Sequence, residues 1–407
     1  AALAQARAAA VVGRRRSRQG RHEEAVERLG RAAAADPGAG AALVTAGLSQ
    51  AQHRLVEALG NLLRAGIAGT AAPGWREEAR SLVALAEGSL RLAHSDEARR
   101  TSLWAAIRGF DARLAHWEAE AEMPPPAPPP PGGRRLFDCF QFNDELDLLE
   151  VRLAELAGVV YRFVLVEAAF THAGAPKPLH YAENRERFAA FADRIVHVVV
   201  ADDPGGFAWE REAHQREAIL RGLGECGPAD MILVSDADEI PRAETVAALR
   251  HDAGGPPGLL APQLELFLYF LDLASPEPWV SMAAAPWELM RRLGPNRARY
   301  LAKQGIGRPL AGAGWHFTWM GGLERYLAKQ AAYAHREMEE AFAGDAAANR
   351  ARLERFYATG TFAAGAAPGM WTSLARTTVD GRYPAAIRDR LDRFRSMGWL
   401  APDPGGG

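Results

Sequence analysis

The sequence predicts an open α/β domain preceded by an all-helical one, and three observations carry that prediction. Residues 124–133 read PPPAPPPPGG. Seven prolines in eight positions forbid helix and force an extended polyproline spacer ending in a glycine hinge. Before the spacer the chain is rich in Ala, Leu, Arg and Glu, with apolar residues at helical spacing and almost no strand signal. After it, strand and helix signals alternate, the pattern of an open sheet with helices on its faces. The expected boundaries are a helical domain over 1–123, a linker over 124–133, an α/β domain over 134–400 and a flexible tail over 401–407.

Length and composition agree with this division. A chain of 407 residues is long for one domain, and with 48% hydrophobic and 24% charged residues it has the material for two cores. The net charge of −2 supplies no basic field, so neither nucleic acid nor an anionic membrane surface is an expected partner. No apolar run reaches the roughly 18 residues of a membrane span. The arginines near the N-terminus follow the apolar stretch, the reverse of a secretory leader. Two cysteines, Cys139 and Cys226, cannot build a disulfide framework or a four-cysteine zinc site. Reduced thiols point to a cytoplasmic protein, associated with membranes through a partner if at all.

In the helical part, GRHEEAVERLGRAAAADP ends at Asp36-Pro37 and resembles the second helix of a tetratricopeptide repeat. Gly13, Gly20, Ala25 and Ala32 then fall where that repeat needs small residues, and Gly47 follows Gly13 by the repeat period of 34. A second copy is degraded, with Leu59 and Gly66 in the alanine positions. Helices over about 76–93 and 97–121 would complete or cap the stack. A plain helical bundle is the alternative to a tetratricopeptide-like fold; either way the domain carries no visible chemistry and reads as a docking element for a protein partner or a packing element.

In the α/β part, VVYRFVLVEAA (159–169), DRIVHVVVADD (193–203) and MILVSD (231–236) read as strands. The last is apolar on both faces, as in the centre of a parallel sheet. AWEREAHQREAILRGL (208–223) reads as an amphipathic helix. PRAETVAALRH (241–251) reads as a helix with proline in its first turn. GLLAPQLELFLYFLDL (258–273) reads as a further strand, and helices are expected near 322–343, 345–358 and 384–397.

The chemistry sits in ILVSDADEIPR. Asp236, Asp238 and Glu239 crowd the carboxyl end of a buried strand, where open α/β sheets gather ligands. Such a cluster needs positive charge nearby. Mn²⁺ or Mg²⁺, held by Asp236 and Asp238 and shared with a substrate diphosphate, would provide it; a solvated helix-capping cluster is the structural alternative. The motif fits a nucleotide-sugar transferase. It also fits a phosphatase with Asp236 as nucleophile, although the glycine that normally follows such a motif is absent. A non-catalytic scaffold with a degenerate site is the third reading.

FDCFQFNDELDLLEVRLAELAGVVYRFVLVEAAFTHAGAPKPLHYAENRERFAAFADRIVHVVV, AWEREAHQREAILRGL, ILVSDADEIPR and GWHFTWMGG together resemble glycosyltransferase family 17, in the right order over about 136–340. Residues 1–130 take no part. The resemblance implies a GT-A-like nucleotide-sugar fold, inverting transfer, Mn²⁺ (or Mg²⁺), a donor such as UDP-GlcNAc and a glycan or glycoconjugate acceptor. The family commonly has proline where this chain has Gln141. His316, between Trp315 and Trp319, is then a further metal ligand, or else a hydrogen-bonded core histidine. Trp315 and Trp319, four apart, are a stacking surface for sugar or base, or core. Glu167, Lys177, Arg211, Gln215 and Arg216 are candidates for the nucleotide-sugar. Inverting transfer needs one carboxylate base, for which Glu265 and Asp272 are the candidates.

Overall fold

The computed structural model describes residues 54–66, 68, 74–90, 97–123, 128–251, 258–332, 346–359 and 374–402. The chain divides into two compact units, Ala1–Glu118 and Ala119–Gly407. In the first, helices span residues 54–66, Trp75–Leu90 and Glu97–Glu122, the last running across the division. Leu55, Leu59 and Leu63 recur at four-residue spacing and are buried, which is the apolar stripe that makes a helix pack. Gly66 lies against the Trp75 ring so closely that a Cβ would come within 2.4 Å of it. The positions that define the first repeat, Gly13 to Pro37, and Gly47 lie outside the described residues.

The second unit is built on one mixed sheet of eleven strands. They are β1 (Leu136–Phe142), β2 (Arg162–Ala168), β3 (Ile195–Val200), β4 (Met231–Asp236), β5 (Glu239–Pro241), β6 (Leu260–Leu268), β7 (Leu273–Ala274), β8 (Trp279–Val280), β9 (Ala283–Pro286), β10 (Arg308–Thr318) and β11 (Ala375–Arg376). The strands β3, β2, β1 and β4 are parallel neighbours in that order. The chain thus winds outward from β1 to β3 and returns to the other side of β1. That reversal opens a crevice at the carboxyl ends of β1 and β4, where Gln141 and Asp236 are register partners. Beyond β4 the sheet turns antiparallel through β9, and β10 runs parallel to β6.

Both faces of the parallel strands are apolar because both are covered. Phe140, Phe163, Leu165 and Leu233 pack with Leu149, Leu153 and Leu156 of the Leu146–Leu156 helix. Val164 faces Gly222, at the end of the segment formed by the Ala208–Glu217 helix and the following 3-10 turn. The expected helix from Pro241 begins instead at Ala243, and Pro241 closes β5 opposite Gly314. The short β5 takes proline because it sits at a sheet edge.

The outer side of the Leu146–Leu156 helix is fixed by charge. Asp147 and Glu150 accept from Arg187 at 2.5 and 2.7 Å and from Arg393 at 2.7 and 3.3 Å, and Arg390 also meets Glu150. Burial pushes the Glu150 carboxyl up, but Arg187, Arg390 and Arg393 outweigh it and hold it at about 2. A folded value below the unfolded one stabilises the fold above the unfolded pKa, near 4.3, and the contribution is lost as pH falls toward 2. Hydrogen exchange at pH 6 and pH 2.5 should therefore show the Leu391–Ser396 helix losing protection at the lower pH ahead of β1 and β2.

Candidate active site

The turn that follows β4 is fastened from behind. Arg152, fully buried on the Leu146–Leu156 helix, pairs with the equally buried Asp138 of β1 at 2.5 and 2.7 Å. The same guanidinium donates to the carbonyls of Asp236 (2.9 Å) and Glu239 (2.7 Å) and to the Ser235 hydroxyl (2.6 Å). Glu239 points inward. It accepts from the Asp236 N–H at 2.9 Å, from the Trp279 indole at 2.7 Å and from Arg299. Bonded on every side and fully buried, it braces the turn.

Asp236 and Asp238 face the crevice. Asp236 accepts from Arg299 at 2.7 Å and Arg216 at 3.2 Å. Burial pushes its carboxyl up, but Arg299 and Arg216 more than compensate and hold it well below the usual carboxylate range. Asp238 accepts from Lys329 at 2.8 Å and lies 3.4 Å from His316 Nε2. Burial again pushes up, and Lys329 with His316 bring the group well below its ordinary value. The positive charge that the motif demanded is thus supplied in large part by Arg216, Arg299 and Lys329.

These groups line a cavity of about 260 Å³. Among its described lining residues, the cations Lys177, Arg216, Arg299, Lys303 and Lys329 exceed the carboxylates Glu145, Glu212, Asp236 and Asp238 by one. Lys303 opens into this space. The residue is exposed, and the protein atoms crowded around it, with the neighbouring Arg299, lower its pKa below the ordinary lysine value. A small cationic excess between low-dielectric walls suits a polyanionic ligand. Leu266, Leu268, Trp279 and Trp319 supply an apolar side, the usual mixture of a small-molecule site. Trp319 adopts φ 61°, a conformation that costs a bulky residue energy and is most often kept at functional positions.

Of the residues singled out from sequence, Lys177, Gln215, Arg216, Asp236, Asp238 and His316 line the cavity. Gln215 donates to the Val166 carbonyl at 3.0 Å and meets His172 at 3.1 Å. Gln141 also lines the cavity. The others lie elsewhere. Glu167 is fully buried and bonds the Tyr181 N–H (2.9 Å) and His197 (3.0 Å), tying β2 to β3. Arg211 pairs with Asp203 at 2.8 Å. Trp315 is core, stacked near Phe317 and covered by the Arg242 guanidinium at 4.2 Å. Glu265 pairs with Arg242 at 3.0 Å. Asp272 accepts from the Ala401 N–H (2.8 Å) and Arg376 (3.0 Å), holding the C-terminal segment. Neither carboxylate proposed as base stands in the cavity, because each is turned to an arginine outside it.

Sequence reasoning passed over Glu145, Arg299, Lys303 and Lys329. Arg299 and Lys303 did leave a trace, four residues apart on the Pro295–Lys303 helix and hence on one face.

Among the described residues, no group of three or more His, Cys, Asp or Glu is placed to hold a metal ion. Two donors do converge: Asp238 Oδ1 and His316 Nε2 at 3.4 Å, beside Asp236, whose side chain is 35% exposed. The buried Nδ1 of His316 has no hydrogen-bond partner. A divalent ion held by Asp238 and His316 would draw the rest of its shell from outside the chain, such as substrate phosphates, and would share Asp238 with Lys329.

The model of glycosyltransferase family 17 matches residues 113–366. The chain is 30% identical over 217 residues to the human β-1,4-mannosyl-glycoprotein 4-β-N-acetylglucosaminyltransferase, covering 46% of this chain and 40% of the relative. The rat and mouse proteins of that name match at 29% with the same coverage. The chain therefore spans about two fifths of the length of these curated relatives. Among solved structures it is similar to the mannosyltransferase PcManGT from Pyrobaculum calidifontis, in complex with GDP-Man and Mn²⁺. That match has 17% identity and a TM-score of 0.30, covering 55% of this chain and 67% of the other.

Proposed function

Because the chain belongs to glycosyltransferase family 17, we propose that it is an inverting, metal-dependent glycosyltransferase. On this reading it moves GlcNAc from UDP-GlcNAc to a hydroxyl of a glycan or glycoconjugate. The observation that carries the proposal is the Asp236–Asp238 turn, which faces a cation-rich cavity at the reversal point of the parallel sheet. Similarity to N-acetylglucosaminyltransferases supports GlcNAc as the donor sugar.

The residues divide the work by their chemistry. Arg216, Arg299 and Lys303 receive the diphosphate, Arg through paired N–H donors and Lys as a point charge. Asp238 and His316, with Asp236 beside them, would hold Mn²⁺ or Mg²⁺, which when bound supplies charge to the leaving diphosphate. Trp319 and the leucines of β6 give the sugar an apolar wall and keep water out. Arg152 and Glu239 keep the turn in place so that none of these groups must reorganise during the reaction. The N-terminal helices would dock a protein partner or an acceptor-bearing protein.

Calorimetric titration tests the reading. UDP, GDP, dTDP and CMP are titrated into the protein with Mn²⁺ and again with EDTA, and into the Asp236→Ala/Asp238→Ala variant. UDP should bind in the presence of Mn²⁺ and fail to bind the variant. A folded wild type that binds none of the four nucleotides overturns the proposal.

A further inference from the structure

Resting on that functional reading, we infer that Glu145 is the general base that takes the proton from the acceptor hydroxyl. In the step, the acceptor oxygen bonds to the anomeric carbon. The bond from that carbon to the diphosphate breaks with its electron pair on the diphosphate, and the hydroxyl proton passes to the Glu145 carboxylate.

Four described carboxylates line the cavity. Glu212 is bonded by Arg216 at 2.7 Å. Asp236 is held by two arginines, and Asp238 by Lys329 and His316. Glu145 is held differently. Its Oε2 accepts the backbone N–H groups of Asn143 (3.0 Å) and Asp144 (3.2 Å), which fixes the carboxylate in direction. Its Oε1 faces Lys329 at the longer distance of 3.5 Å, so one oxygen is oriented by the backbone and the other looks toward the cavity's lysine.

Glu145, Trp319 and Lys329 line both the main cavity and a second, smaller one beside it. Glu145 therefore stands on the wall between the cavity of about 260 Å³ and a small one of about 20 Å³. Lys329 reaches both it and Asp238, so the carboxylate lies one side chain away from the end of the Asp-x-Asp turn.

The helix that follows does not itself require a glutamate at this position. Glu145 occupies the N-cap of the Leu146–Leu156 helix but makes no capping bond, and Ser, Asp or Asn would serve that helix better. Its ionisation also suits a base. Burial pushes the carboxyl up, Lys329 pulls it down, Asp144 and Asp238 push it up again, and it ends above its ordinary value. Lys177 also interacts with it electrostatically, and Asp147 and Arg325 line the small cavity with it. A base whose pKa rises toward the working pH accepts a proton more readily.

Glu145→Gln keeps the shape and the acceptor for both backbone N–H groups. UDP release from UDP-GlcNAc with Mn²⁺ is measured with water and with methyl β-mannoside as acceptors, alongside calorimetric binding of UDP-GlcNAc. The variant should bind donor within about threefold of wild type and release UDP roughly 10²–10⁴-fold more slowly. The acidic limb of the kcat profile should vanish in it, and Glu145→Asp should recover part of the rate. A Glu145→Gln enzyme within tenfold of wild type overturns the assignment. So does one that loses donor binding in step with turnover. A wild type that binds no nucleotide-sugar overturns the glycosyltransferase reading itself. If wild type binds donor but turns over neither acceptor, the crystal structure of that complex decides. The carboxylate should lie within about 6 Å of the anomeric carbon on the face opposite UDP, the sum of a hydrogen bond and a near-attack distance being the upper limit; a position on the UDP side overturns the assignment.

Discussion

Arg152→Met destabilises the catalytic unit by about 3–5 kcal/mol, the cost of leaving one partner of a buried ion pair alone. Asp138, fully buried, has Arg152 as its charged partner at 2.5 Å. The loss extends further than the pair, because the carbonyls of Asp236 and Glu239 and the Ser235 hydroxyl lose their donor as well. A double-mutant cycle with Asp138→Leu separates the two effects. Replacing both ions of a buried pair by apolar groups is often near neutral. Here the double variant should recover only part of the stability, since the turn still lacks its hydrogen bonds. Urea unfolding monitored by tryptophan fluorescence measures both, and an Arg152→Met midpoint equal to wild type would contradict the account.

Gly314→Ala is expected to cost about 3 kcal/mol, at the upper end of overpacking penalties, and to abolish nucleotide binding. A Cβ at 314 would meet the Ile240 carbonyl oxygen at 2.2 Å and Pro241 Cα at 2.8 Å. These are backbone atoms and cannot swing aside, so β5 and β10 must part. That pairing sets His316 opposite Glu239, and it brings the histidine to Asp238. Gly312→Ala is the control. Its φ is 61° with nothing within 4 Å of a built Cβ, so it should lose only the roughly 1 kcal/mol of a left-handed residue. Thermal unfolding and UDP titration of the two variants, side by side, distinguish strain at one residue from separation of the strands. Equal losses would show that the β5–β10 contact does not set the site.

The sequence by itself determined the alternation of strands and helices in the second unit. Strand periodicity and helical periodicity are local, and they are written in runs such as RFVLVEA and MILVSD. It also determined that carboxylates crowd the end of a buried strand, which alone demands compensating charge. Tertiary structure decided where that charge comes from. Arg152 lies 84 residues before Asp236, Arg299 lies 63 after it, and Lys329 lies 91 after Asp238. No spacing rule links segments so far apart. Structure likewise decided which acids face the cavity. Glu265 and Asp272 sit on or beside a well-read strand, yet a strand's period says only that neighbours point to opposite faces, not which face is lined by Arg242 or Arg376. Nothing in the sequence singles out Glu145; its backbone donors and Lys329 come together only in the packed chain. The chemistry of a charged group is set by what approaches it, and approach is a property of the packed chain.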